Sequence, residues 1–263
     1  MKAIVKDGAS TKWAAKARKL GIALASTAAL GLRHGFDYDH IAAISDITSV
    51  EPKPARSMRL GVLYALGHAA TIAILGSAVI VGRFALPSGL NEWAERIIGC
   101  TLIVLAIYVC FTMFSKQHSH NPRSRIVLLI SAGRWLFWRI SSFVNPEVER
   151  PASFRWSYNR SSVFLIGVVH GLGAETPTQL SLFLLAANLG GMGKGLLGLG
   201  MFIVGLLMMN TLMTASATGL YGAGAHRPKL NLWVSGLTAA YSFGIGIIFL
   251  LGASAALPAL AGN

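Results

Sequence analysis

From residue 20 onward the chain alternates long apolar runs with short polar gaps. Six apolar zones stand out, near residues 20–50, 60–82, 97–115, 161–190, 195–220 and 231–258, with Arg, Lys, Pro and Glu in the gaps. A helix needs about 20 residues to cross about 30 Å of hydrocarbon, and each zone reaches that length. The zones lack the two-residue alternation of a barrel strand. A spanning backbone must also satisfy its own polar groups, so the pattern predicts helices throughout. The expected fold class is an all-α polytopic membrane protein.

Composition agrees with the pattern. Of 263 residues, 54% are hydrophobic and 13% charged, too few charges to cover a soluble globule of this size. A formal charge of +13 raises the question of nucleic acid. The basic residues, however, are scattered over the amino tail and the gaps, where anionic lipids of the inner leaflet are the simpler partner and no nucleic acid is expected. Cys100 and Cys110 lie ten apart in one apolar run and read as packing residues, without redox or thiolate-metal spacing. The amino end imitates a signal peptide, but cleavage near Ala29 would leave the polar motif that follows at a free terminus, so retention is expected.

The rare polar groups inside the zones change the picture most. Asp37, Asp39, Asp46 and Glu175 are there, together with His34, His40, His68 and His170. An unpaired charge at mid-bilayer costs about 3 kcal/mol even on the lenient insertion scale, so something must offset it. His68 alone could hydrogen-bond a carbonyl between packed helices. Arg33 could pair with Asp37 four residues on. One arginine cannot satisfy the whole set, whereas imidazole and carboxylate together suit a divalent transition metal.

Two stretches repeat one another. GLRHGFDYD, residues 31–39, and GVVHGLGAE, residues 167–175, share GxxHG followed four residues later by an acid. Each lies in the first part of its zone and is followed by two further zones, which gives two copies of a three-zone unit. Duplicated halves with a polar site in the first element of each are the layout of a transporter. On a straight helix His34, Asp37 and His40 fall within about 120°, while Asp39 points about 140° from His34 and shares its face with Asp46. His170 and Glu175 show the same offset. Gly31, Gly35, Gly167, Gly171 and Gly173, with Pro177, supply the means to break these elements or to pack them closely.

At this point the chain resembles the NiCoT family of secondary nickel and cobalt transporters. HGFDYDHIAAISD is similar to that family's HxxxxDH signature, usually close to HAxDADHIAAIDN. LYALGHAAT resembles its LGHST-type segment, and GLGAETPTQ its GLGFDTATE-type segment. The resemblance implies metal recognition by His34, Asp37, Asp39 and His40. The chain departs from the family in having Ala174-Glu175 where Phe-Asp is usual, and Asn210 where an acid is usual. It also shows six zones where the typical, longer member has eight segments.

Lys and Arg stay cytoplasmic, which makes loop charge a test of topology. If each zone is one crossing, Lys and Arg outside the zones divide 13 against 9, with the amino end outside. If the two motif zones turn back as hairpins, the division is 18 against 4. The motif elements are therefore expected to be broken or re-entrant, giving six to eight membrane segments. The expected organisation is a basic cytoplasmic tail at 1–19, a first membrane repeat at 20–115, a cytoplasmic connecting region at 116–160 and a second repeat at 161–263. Within the connecting region, residues 125–140 read as an interfacial helix, and His118 and His120 as solvated side chains.

The function expected is transport of divalent nickel or cobalt across the cytoplasmic membrane, with uptake the favoured direction and no resident cofactor. The metal would be held by His34, Asp37, Asp39, His40, His68, His170 and Glu175. Ligation needs neutral imidazole, so protons should compete with metal. The competing readings are an exporter of the same metals and an intramembrane zinc hydrolase, since three histidines, an acid and a water also make a catalytic site. Oligomeric state has no signature in the sequence.

Overall fold

In a computed structural model, residues 3–51, 53–83, 89–116, 138, 159–173, 190–224 and 227–258 are described here. They form seven α-helices and a closing 3₁₀ turn, with no strand among the described residues. The helices are α1 (Ala3–His34), α2 (Tyr38–Ser49), α3 (Pro54–Gly82), α4 (Leu90–Lys116), α5 (Arg160–His170), α6 (Met192–Gly224) and α7 (Pro228–Leu250). Four of them, α3, α4, α6 and α7, are long and apolar enough to cross a membrane, and α5 is a shorter apolar helix. The chain is thus an all-helical polytopic membrane protein.

Local chemistry explains several boundaries. Pro54 and Pro228 stand in the first turns of α3 and α7, where the missing N–H is no loss. At the start of α5 the Ser162 N–H donates to the Asn159 side chain (2.6 Å), and the Ser162 hydroxyl accepts from the Asn159 N–H, a reciprocal cap. The first motif zone is not continuous. Helix α1 stops at His34, residues 35–37 form a turn, and α2 restarts at Tyr38 after an extended Asp37.

Close helix contacts set the directions. A Cβ on Gly31 would overlap the Phe202 carbonyl, and one on Gly35 would press on the Leu206 carbonyl at 3.1 Å. Four residues forward on α1 match four forward on α6, so the two helices are parallel. Likewise a Cβ on Gly167 would overlap the Tyr64 carbonyl and one on Gly171 would press on that of His68 (2.9 Å), so α5 and α3 are parallel. Helix α6 opposes α3, since Ser57 Oγ meets Thr218 Oγ1 at 2.9 Å and Gly61 abuts Thr214. Helices α4 and α7 are antiparallel, with Gly99 against Leu250 and Gly236 against Met113.

These directions place the start of α3, the ends of α2 and α4, and the start of α5 at one face of the bundle. The start of α1, the end of α3 and the end of α7 lie at the other. Helices α1 and α2 run the same way, so α2 continues the direction of α1 beyond the turn at 35–37. Short α2 is central, packed by α3, α4, α6 and α7. Ala42, Ala43, Ile44 and Ile47 join Leu60, Tyr64, Ile98 and Leu102 in the larger core cluster. After α7 the Ser254 N–H donates to Glu95 Oε1 (2.7 Å), and Tyr38 donates its hydroxyl to the Pro258 carbonyl (2.8 Å).

Candidate metal site at the helix break

Three histidines meet where α1 breaks. His34 ends α1, His40 lies in the first turn of α2, and His68 comes from the middle of α3. All three are buried. The Nε2 atom of His68 lies 3.2 Å from that of His34 and 3.4 Å from that of His40. Nitrogens bound at about 2.0–2.1 Å to one tetrahedral metal ion are about 3.3 Å apart, so the spacing suits a shared ion. Histidine-rich clusters of this kind hold first-row divalent metals.

Carboxylates stand behind two of the rings. His34 Nδ1 is 3.0 Å from Asp37 Oδ2, and His40 Nδ1 is 3.0 Å from Asp39 Oδ1. Each Nδ1–H donates to its carboxylate, which leaves the Nε2 lone pair directed at the common point. His68 differs, because its Nδ1 is buried with no hydrogen-bond partner. Across the break the backbone stays hydrogen-bonded through the turn. Gly35, Phe36 and Asp37 donate to the carbonyls of Gly31, Arg33 and His34. The carbonyl end of the α1 dipole then favours a cation, while the amino end of α2 favours Asp37 and Asp39.

The second motif shows the same backbone pattern without the same cluster. Gly171, Leu172 and Gly173 donate to Gly167, Val169 and His170, residue for residue the arrangement of the first motif. His170 is buried, yet its ring serves another purpose. The Thr101 hydroxyl donates to the Ile98 carbonyl and so accepts from His170 Nε2 (2.7 Å). Its Nδ1 consequently accepts from the Tyr64 hydroxyl at 3.0 Å. Both nitrogens are committed, and His170 ties α3, α4 and α5 together.

The structure therefore brings His34, His40 and His68 to one point, with Asp37 and Asp39 as their supports, and sets His170 apart. Glu175, His118, His120 and the interfacial helix expected at 125–140 lie outside the described residues. Tyr64 and Thr101 were not signalled by the sequence, because a tyrosine and a threonine in apolar helices are commonplace. Asn210 is buried with both side-chain polar atoms unpartnered, and its Oδ1 would lie 3.2 Å from a Cβ on Gly35.

No family model matches the chain, and no solved structure matches it. Curated relatives do. The cobalt transport protein NhlF of Rhodococcus rhodochrous is 27% identical over 88% of this chain and 70% of its own length. The nickel transporter NicT of Mycobacterium tuberculosis is 26% identical, covering 89% of this chain and 68% of its own. The high-affinity nickel-transport protein NixA of Helicobacter pylori is 23% identical over 83% of this chain and 71% of its own. Across most of its length the chain is thus similar to proteins named for nickel or cobalt transport, in agreement with the resemblance of its HGFDYDH motif to the NiCoT family.

Proposed function

We propose that the chain carries divalent nickel or cobalt across the cytoplasmic membrane, in the direction of uptake, through the His34, His40 and His68 cluster. The observation that carries this reading is the convergence of three buried Nε2 atoms at a break within a crossing, two of them aimed by Asp37 and Asp39. Two carboxylates offset the charge of a divalent ion and so reduce the cost of holding it away from water. The relatives named for nickel or cobalt transport favour a carrier over a hydrolase.

Two inverted three-element repeats supply the moving parts. This reading is supported by the reciprocal packing of α1 on α6 and α5 on α3, with α4 against α7. It is also supported by the matched breaks after His34 and His170. Rocking of one half against the other would open the cluster to each face in turn. Read as one crossing, α1 and α2 put Lys16 and Lys53 toward opposite faces, and only one of these faces can be cytoplasmic. We assign the cytoplasm to the face where α3 begins, since with single crossings the Lys and Arg outside the zones divide 13 against 9 in its favour.

The test is accumulation of radioactive nickel and cobalt in cells expressing the protein, beside His34→Ala and Asp39→Asn. Loss of accumulation in His34→Ala is expected. Unchanged accumulation would overturn the assignment, and faster loss of preloaded metal from expressing cells would reverse the direction.

A further inference from the structure

Asp46 takes no part in the cluster, yet it is the most isolated charge-bearing group described. It is fully buried on α2, and neither carboxylate oxygen has a hydrogen-bond partner. The groups facing it are the Cys110 thiol on α4, the Tyr221 hydroxyl on α6 and the Ser242 hydroxyl on α7. From α3, Leu60 and Tyr64 belong to the apolar cluster formed by Ala42, Ala43, Ile44 and Ile47 of α2. The Tyr221 hydroxyl bonds Thr238 at 2.5 Å, whereas the Ser242 hydroxyl, a long 3.5 Å from the Ala42 carbonyl, is also turned toward the Asp46 carboxyl. No lysine, arginine or histidine is paired with Asp46 among the described residues.

A bare carboxylate in such surroundings is far less stable than the neutral acid, which needs no counter-charge. Asp46 also lies between the cluster and one face of the bundle. It lies seven residues beyond Asp39 on the same side of α2, about 10 Å along the axis toward the face where α3 begins. Resting on the transport reading above, we propose that Asp46 is a proton-carrying site linked to the metal. It holds a proton while the cluster is empty, and it releases that proton as the divalent ion arrives. The O–H bond of the carboxyl breaks, its electron pair stays on the carboxylate and the proton passes to water at the exit face. The carboxylate then offers the departing ion an oxygen ligand, and a proton returns when the ion has left. One proton is released for each ion bound and taken up again for each ion lost.

The test is metal-induced infrared difference spectroscopy of the purified full chain with nickel or cobalt chloride, beside Asp46→Asn and Asp46→Glu. The wild type should lose the carbonyl stretch of a protonated carboxyl on metal binding. Asp46→Asn should lack that band and bind metal about 10-fold more weakly than wild type at neutral pH, because a neutral side chain cannot gain charge as the ion binds. Asp46→Glu should shift the band without removing it, which keeps the assignment testable if the asparagine variant does not fold. A wild type that binds metal with no such band, or a band unchanged in Asp46→Asn, would overturn the proposal. A metal affinity that depends on sodium and loses that dependence in Asp46→Asn would overturn it in favour of sodium. A wild type that binds neither metal would instead overturn the transport reading.

Discussion

At the scale of single residues, the division of labour between carboxylate and imidazole decides how the site behaves. Asp37 and Asp39 approach His34 and His40 from behind, so they orient the rings and enrich Nε2 without having to touch the ion. Asp37→Asn and Asp39→Asn are each expected to weaken metal affinity by about 10–100-fold while leaving binding detectable, as read by equilibrium binding of radioactive nickel. Affinity within twofold of wild type for both variants would remove the supporting role. The sequence made His34, Asp37, Asp39, His40 and His68 legible, because polar groups in apolar helices demand an explanation. It could not separate His170 from them. That separation depends on Tyr64 and Thr101, which are distant in sequence and reach His170 only through the packing of α3 and α4.

At the scale of the helix, the break after His34 and the glycine contacts matter most. The motif glycines suggested either a break or close packing, and Gly31 and Gly35 serve both ends at once. Gly31 lets α1 lie on the α6 backbone, and Gly35 continues the turn that starts the break. Replacing Gly31 or Gly167 by Val would drive a side chain into the Phe202 or Tyr64 carbonyl, and backbone cannot move aside cheaply. Each substitution is expected to cost about 1–3 kcal/mol, seen as earlier thermal unfolding in detergent. Gly21, with open space where a Cβ would sit, is the control. Gly21→Ala should hold or raise stability by up to about 1 kcal/mol through helix propensity. Equal losses at Gly21 and Gly31 would contradict the packing argument.

At the scale of the whole molecule, the parallel pairs α1 with α6 and α5 with α3 interleave the two halves of the chain. That the chain is helical with several membrane-spanning segments was readable from hydropathy. Whether a motif zone turns back was not, since charge counts favoured a hairpin and zone length opposed one. Contacts between α1 and α6 carry an order that composition lacks, and they support the proposal of a single broken crossing. A consequence is testable with single cysteines in a background lacking Cys100 and Cys110. Lys53→Cys should react with an impermeant maleimide only from the cytoplasmic side, and Lys16→Cys only from outside. Labelling of both from the same side would contradict a single broken crossing.

The central claim, that His34, His40 and His68 hold the transported ion while His170 does not, is tested most directly by equilibrium nickel and cobalt binding to purified protein. The four single His→Ala variants would be compared with wild type. The account predicts that binding collapses in His34→Ala, His40→Ala and His68→Ala and persists in His170→Ala. Binding that survives in the first three, or that is lost as fully in His170→Ala as in them, would contradict it.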